Sequence, residues 1–233
     1  MNAVRHRRLV VHNVGGVGDP QAIHDVLAGL DPDVVCLLGA PSPRRLRAVL
    51  RGTGLSLCVR GGQRGDSSAI LVRSGLLVRS TDRLRLVAPR RVPDREAVRA
   101  IVSVGGTSVA FVAVQFGFRP DVRATNLQAL HTWLSSVSPP TVIGAFVSEP
   151  ASGPVASTLA SEYQDAFAVA GSGVGDTYPS DAPVSRRDFA FVDRRLQIAG
   201  CVVDAGPRAA AASRHRPVVV DLDLHDDAGV ARG

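Results

Sequence analysis

The chain has 233 residues, of which 45% are hydrophobic and 4% aromatic, and its formal net charge is +6 at pH 7. This length suits one large domain with a mainly aliphatic core. The basic side chains are all arginine. The net positive charge favours anionic partners such as nucleic acid, phosphorylated ligands or an acidic membrane surface. The alternative, which the exclusive use of arginine favours, is the codon bias of a GC-rich genome.

The cysteines and the apolar segments argue against a disulfide-rich, zinc-binding, secreted or membrane-spanning protein. Cys36, Cys58 and Cys201 are scattered along the chain, so we expect neither a disulfide framework nor a zinc site. The apolar run at residues 9–11 is too short for the core of a signal peptide. No stretch approaches the roughly 20 apolar residues of a membrane span. The expected location is therefore cytoplasmic.

The first half of the chain alternates short apolar runs with two helical segments. Asp and Pro are common at helix starts, so Asp19-Pro20 predicts a helix that continues to residue 30 with apolar residues on one face. In chain order, the predictions are a strand at 9–14, this helix, a strand at 34–38, a helix at 43–50, and strands at 55–59, 68–72 and 76–86.

The second half predicts a hairpin, the longest helix and three later strands. The hairpin joins residues 98–104 and 108–114. The other elements are a helix at 122–137, a strand at 141–146, a short helix at 155–161, and strands at 189–192 and 218–222. We predict a basic N-terminal tail at 1–8, one domain at 9–224 and a C-terminal tail at 225–233. Short strands mixed with a few helices favour an α/β sandwich.

Seven short segments occur in an order and spacing that resemble one enzyme family. They are His12-Asn13, Asp33-Val34-Val35-Cys36-Leu37-Leu38-Gly39, Ala69-Ile70-Leu71-Val72-Arg73, Val114-Gln115, Gly144-Ala145-Phe146-Val147, Arg187-Asp188-Phe189 and Ser213-Arg214-His215-Arg216-Pro217. The set resembles the endonuclease/exonuclease/phosphatase family, which includes metal-dependent nucleases, sphingomyelinases and inositol phosphatases. The resemblance runs from about residue 9 to residue 224. It implies the α/β fold class, with a four-layer α/β/β/α sandwich of the DNase I-like type.

The same resemblance shows which chemical groups are missing. The family hydrolyses phosphate esters with an activated water and a hard divalent cation such as Mg²⁺, held by carboxylates. Gly39 stands where the family has a metal-binding Glu, and Ala145 and Val147 replace an Asp and an Asn. Arg214 replaces an Asp that is often a metal ligand, and Gln115 replaces another polar residue. We therefore expect no metal site.

Three family positions keep their residue type. Asn13 matches an Asn that contacts metal or phosphate, and Asp188 and His215 match a pair in which a carboxylate orients an imidazole toward phosphate. The alternatives are that Asn13 caps backbone groups in a turn and that Asp188 and His215 form a buried structural pair. Arg214 and Arg216 flank His215, so an anion-binding corner is predicted there.

Two functions follow from these positions. The first is a pseudoenzyme without cofactor, which acts as a binding or scaffold module for a phosphorylated or nucleic-acid ligand. The alternative is a divergent phosphodiesterase or nuclease that uses Mg²⁺ or Mn²⁺ with relocated ligands. Glu149 and Asp66 are the carboxylates nearest to the altered motifs, and the competing interpretation of both is a solvated loop side chain.

Overall fold

Two mixed β-sheets stack face to face, and helices cover their outer faces in a computed structural model that describes residues 4–15, 18–62, 67–88, 95–104 and 106–225. The strands are β1 (Val4–Asn13), β2 (Val34–Leu38), β3 (Leu55–Gly61), β4 (Ser68–Arg73), β5 (Leu77–Leu86), β6 (Arg95–Val104), β7 (Thr107–Gln115), β8 (Thr141–Phe146), β9 (Gln164–Asp165), β10 (Gly171–Ser172), β11 (Asp188–Val192), β12 (Gln197–Val203) and β13 (Val218–His225). The helices are α1 (Pro20–Leu30), α2 (Pro43–Leu50), α3 (Pro120–Leu134), α4 (Pro154–Glu162), α5 (Ala166–Ala170) and α6 (Pro207–Ala212).

The strand order places the chain's beginning and end side by side. The first sheet has the order β10-β12-β13-β1-β2-β4-β3, and the second has β5-β6-β7-β8-β11-β9. In the first sheet β1 pairs parallel to β2 and antiparallel to β13. In the second, β8 pairs parallel to β7 and antiparallel to β11. The strand ends that carry the family-like segments therefore meet at one end of the sandwich.

Apolar side chains fill three layers. One cluster lies between the sheets, a second packs the first sheet against α1 and α2, and a third packs the second sheet against α3 and α4. The sheets approach closely at Gly144, where an added Cβ would lie 2.5 Å from the Cβ of Cys36. Glycine is therefore required at this position.

The four-layer sandwich is confirmed, and the longer predicted elements appear with shifts of a few residues. Asp19 caps α1 through a hydrogen bond from the Ala22 amide. The sequence analysis did not predict β9, β10, β12, α5 or α6. β12 contains Gly200 and a register shift, which break the alternation that would indicate a strand. α6 is mostly alanine and carries no polar pattern.

The predicted N-terminal tail is wrong for residues 4–8, which extend β1 along β13. Arg8 donates from Nε and Nη2 to Asp221 at 2.9 and 3.1 Å, and Arg7 Nη1 donates to Asp33 at 3.2 Å. Carboxylates on neighbouring elements thus neutralise a basic segment that looks unpaired in sequence. Residues 1–3 and 226–233 of the predicted tails lie outside the described residues, and His225 ends β13. None of the described helices is long and apolar enough to cross a membrane.

Candidate functional site: an arginine-lined cleft

A cleft of about 930 Å³ opens at the end of the sandwich where β1 and β8 finish. It brings together Asn13 and His215, which the sequence analysis placed in separate motifs. Its other polar and aromatic lining residues are Asp19, Arg95, Gln115, Phe118, Phe146, Ser148, Tyr178, Ser180, Asp181, Arg187, Ser213 and Arg214. Three arginines and two aspartates therefore face one concave surface.

Asp188 and His215 form the predicted pair. His215 Nδ1 lies 2.7 Å from Asp188 Oδ2, and Asp188 is fully buried. The hydroxyl of Thr177 donates to the same carboxylate oxygen at 2.7 Å. An ionised carboxylate only accepts hydrogen bonds, so with Asp188 ionised this contact assigns a proton to Nδ1. His215 Nε2 can therefore donate to a bound anion when the ring is protonated.

The His215 ring is held on several sides. Phe146 meets it edge-on with centroids 5.3 Å apart, and Tyr178 packs at 4.8 Å with the rings tilted by 40°. The His215 amide donates to Ser213 Oγ at 3.1 Å, and that hydroxyl donates to the Asn13 carbonyl at 2.5 Å. The imidazole is therefore fixed before any ligand arrives.

Arginines surround Tyr178 at the cleft. Arg187 lies 4.7 Å and Arg214 lies 5.5 Å from the centroid of its ring, and Arg214 Nη2 donates to the Tyr178 hydroxyl at 2.8 Å. Arg216, which was also predicted to bind an anion, donates from Nε to the Ser180 carbonyl at 2.7 Å and does not line the cleft. The positive corner consists of Arg187 and Arg214, and the sequence analysis missed Arg187.

Asn13 and Gln115 both line the cleft while making local contacts. Asn13 is 3% exposed, and its Oδ1 accepts from the Gly15 amide at 3.1 Å, as expected of a residue that caps a turn. Gln115 Nε2 donates to the Ser67 carbonyl at 3.2 Å. Both residues contribute fixed polar edges to the cleft.

Three of the altered family positions lie away from the cleft lining. Ala145 and Val147 are fully buried in the layer between the second sheet and α3 and α4. Gly39 follows β2 and has φ of +63°, a left-handed conformation that favours glycine. The resemblance implied that these positions belong to the reaction centre. The side chains at 145 and 147 instead point away from it, and Phe146 occupies the face that reaches the cleft.

Glu149 is not a solvated loop carboxylate, which corrects one interpretation of the sequence. It is 7% exposed, and its Oε2 accepts from Arg123 Nε at 3.0 Å. Its Oε1 accepts from the amides of Val155 and Ala156 at 2.6 and 3.0 Å, so it caps the start of α4. Both oxygens serve the fold. Asp66, the other candidate for a relocated ligand, lies outside the described residues.

Three carboxylates lie at or beside the cleft, and each has its own local partner. Asp19 caps α1, and Asp181 accepts from the Ala182 amide at 3.0 Å. Asp188 Oδ2 contacts His215 and Thr177, while its Oδ1 is buried without a hydrogen-bond partner in the described part of the chain. Within the described ranges, no group of three or more His, Cys, Asp or Glu side chains is placed to hold a metal ion. Mg²⁺ in proteins is usually held by one or two carboxylates together with water and substrate phosphate, and the carboxylates near this cleft are engaged separately rather than gathered into one cluster.

His12 lies beneath this site and was quoted in the sequence analysis only as a motif position. It is fully buried, and neither ring nitrogen has a hydrogen-bond partner. Burial lowers its pKa from 6.5 to about 4, although the Asp188 charge acts in the opposite direction. The His215 backbone also favours the charged form, but it does not reach the ring at hydrogen-bonding geometry. His12 is therefore neutral in the folded protein at pH 7.

We expect His12 to weaken the fold in acid. Between pH 6.5 and pH 4 the unfolded chain takes up a proton on this side chain and the folded chain does not. Stability is therefore lost as the pH falls, by roughly 3 kcal/mol at pH 4. In His12→Leu this loss should be absent. Urea unfolding of both proteins from pH 7 to pH 4 measures the difference. Parallel pH dependences would show that His12 does not titrate differently on folding.

No family model matches the sequence, and no curated protein matches it either. Solved structures match it in fold. The endonuclease/exonuclease/phosphatase from Bacteroides vulgatus superposes with a TM-score of 0.81 at 16% identity, over 95% of this chain and 100% of its own. A mannosyl-6-phosphatase from Bacteroides thetaiotaomicron gives 0.80 at 13%, over 94% and 100%. The catalytic domain of human Nocturnin with bound sulfate gives 0.73 at 13%, over 96% of both chains.

These likenesses confirm the fold that the motifs implied. The chain has the DNase I-like sandwich of the endonuclease/exonuclease/phosphatase family. At sequence identities of 13 to 16%, these comparisons show the fold and not the function.

Proposed function

We propose that this protein is a pseudoenzyme of the DNase I-like fold that binds a phosphorylated ligand in the cleft without metal-dependent hydrolysis. The observation that carries the proposal is the grouping of Arg187, Arg214 and the Asp188-held His215 around one concave surface. Two guanidinium groups supply charge-assisted donors to phosphate oxygens, and His215 Nε2 adds a third donor when its ring is protonated. The metal-binding carboxylates of the family are replaced or directed elsewhere.

The fold neighbours support a phosphate ester as the ligand class. One of them is a mannosyl-6-phosphatase, and another holds a sulfate anion. This chain keeps a cleft at the end of the sandwich but lines it with arginine where the family has a carboxylate. Charge reversal at residue 214 favours retention of an anion and disfavours a divalent cation.

The intact Asp188–His215 pair favours a second candidate, a divergent phosphodiesterase. A buried carboxylate that fixes an imidazole is the arrangement of a general acid or base, which provides part of the chemistry of ester cleavage. Metal-dependent turnover would have to recruit carboxylates such as Asp19, Asp181 or Asp188 at the cleft, or Asp66, which lies outside the described residues.

Arg214→Asp should weaken binding of ribose 5-phosphate by about tenfold or more, because it removes a charge-assisted donor and places a repelling charge beside the phosphate. Isothermal titration calorimetry at 50 and 200 mM salt measures both the affinity and its salt dependence, and the latter should become shallower. Arg44→Asp, on the exposed face of α2, carries the same charge change away from the cleft and should leave the affinity within about twofold. Equal losses in the two variants would place the phosphate elsewhere.

A hydrolysis assay distinguishes the pseudoenzyme from the divergent phosphodiesterase. Purified wild type and His215→Ala are incubated with bis(p-nitrophenyl) phosphate and with plasmid DNA, with Mg²⁺ or Mn²⁺. We expect no metal-dependent turnover in either protein. Turnover that is present in wild type and lost in His215→Ala would overturn the pseudoenzyme proposal and establish the phosphodiesterase.

A further inference from the structure

Phe118 is an exposed aromatic side chain at the mouth of the cleft. It is 67% exposed, whereas Phe146 in the same cleft is 6% exposed and packs against His215. Arg95, which is 7% exposed, lies 4.6 Å from the centroid of the Phe118 ring on one face. Phe146 meets the ring edge-on at 6.2 Å. The high exposure leaves the other face of the ring open to solvent.

The loop that carries Phe118 is held in place by its backbone. Arg95 Nη1 donates to the Phe116 carbonyl, Asn126 Oδ1 accepts from the Gly117 amide at 3.1 Å, and Arg123 Nη1 donates to the Phe118 carbonyl at 2.5 Å. A Cβ at position 117 would lie 2.5 Å from a methyl group of Val122. The exposed ring is therefore presented on a fixed loop, which reduces the entropy lost when a ligand packs against it.

We infer that Phe118 is a stacking platform and that the ligand of the cleft is a nucleotide, that is, a phosphate ester carrying a purine or pyrimidine ring. The inference rests on the proposed function and specifies its ligand. An aromatic face stacks on any nucleobase because every base presents a π-face. The Arg95 guanidinium makes a cation–π contact with one face of the ring and helps to hold it in place.

The spacing of the cleft fits the two ends of one nucleotide. Phe146 separates Phe118 from His215, with centroids 6.2 Å from the first ring and 5.3 Å from the second. These two distances keep the Phe118 and His215 rings within about 12 Å of each other, a span that one nucleotide bridges with its base on Phe118 and its phosphate near His215. A sugar phosphate without a base would occupy the phosphate corner and leave the platform bare.

The test compares adenosine 5′-monophosphate with ribose 5-phosphate, which share the sugar and the phosphate and differ in the base. Calorimetry measures both ligands against wild type, Phe118→Leu, Phe118→Trp and Val169→Ala. We expect wild type to bind the nucleotide about tenfold more tightly than the sugar phosphate. Phe118→Leu should abolish that ratio while keeping the affinity for ribose 5-phosphate, and Phe118→Trp should restore it. Val169 is 59% exposed outside the cleft, and its truncation should change neither affinity.

The possible outcomes distinguish failure of base stacking on Phe118 from failure of the proposed phosphate binding. Equal affinity of wild type for both ligands overturns the platform and leaves phosphate binding in place. A preference for the nucleotide that survives in Phe118→Leu also overturns the platform, because the base would then be bound elsewhere. If neither ligand binds wild type, the proposed function fails and the platform fails with it. Because Phe118 is exposed, we expect its variants to fold like wild type, so a change in affinity reports on binding.

Discussion

Ala145→Asp is expected to lower the free energy of unfolding by on the order of 4 kcal/mol and to restore no phosphoester hydrolysis. The substitution restores the Asp of the family's Gly-Asp-x-Asn motif, while Val147 still replaces its Asn. Residue 145 is fully buried, and its partners on the neighbouring strands are Val114 and Phe189. A carboxylate there would lose its water and gain no cation. Urea unfolding followed by circular dichroism measures the loss.

A matched substitution separates burial from the chemistry of aspartate itself. Ala124 lies on the exposed face of α3, and Ala124→Asp should cost less than about 1 kcal/mol. If Ala145→Asp were as stable as wild type, or if it cleaved bis(p-nitrophenyl) phosphate with Mg²⁺, the side chain at 145 would have to reach the cleft.

The same reasoning applies to a variant that restores four family residues together. Besides Ala145→Asp, it would contain Gly39→Glu, Val147→Asn and Arg214→Asp. Gly39 has φ of +63°, so a glutamate there would add backbone strain of about 1 kcal/mol. Val147→Asn would bury an amide in an apolar layer. We expect these substitutions to unfold the variant rather than to restore hydrolysis.

Glu149→Gln should destabilise the protein by about 3 kcal/mol, the second large effect. Removing the charge leaves the Arg123 guanidinium buried without its carboxylate, since the two side chains are only 9% and 5% exposed. It also weakens the cap on α4, in which Glu149 Oε1 accepts hydrogen bonds from the Val155 and Ala156 amides. Thermal and urea unfolding both measure the loss.

Glu162→Gln is the control for this prediction. Glu162 lies 3.1 Å from His131 at a site where the side chains are 34% and 43% exposed, so its neutralisation should cost less than about 1 kcal/mol. Replacing Arg123 and Glu149 together with leucine should cost less than the sum of the two single losses, because the double variant leaves no unpaired charge. Additive losses would show that the pair is not coupled.

Local signals predicted most of the fold because they act over a few residues. Asp19 and Pro20 mark the start of α1 through a side-chain cap and a fixed φ, and β2 is a continuous apolar run between a helix and a glycine. The basic residues of β1 could not be placed in this way. Arg7 and Arg8 become strand residues because Asp33 and Asp221 neutralise them, and those partners are distant in sequence.

The candidate site was predicted in part. The contact between Asp188 and His215 follows from two motifs, but the direction of Ala145 does not. Every residue of β8 is buried, so its sequence lacks the alternation that would distinguish the face toward the cleft from the face toward the helices. Arg95 and Phe118 belong to no motif. They reach the cleft through the pairing of β6 and the loop after β7, which the sequence alone does not fix.

The close approach of the sheets at Gly144 makes Cys36 an internal probe of their separation. Its thiol is fully buried, faces the second sheet and donates to the Val112 carbonyl at 3.4 Å, and burial raises its pKa to about 12. An alkylating reagent needs both access and a thiolate, and neither exists while the sandwich is closed. The rate at which Cys36 is alkylated would therefore measure how often the two sheets separate.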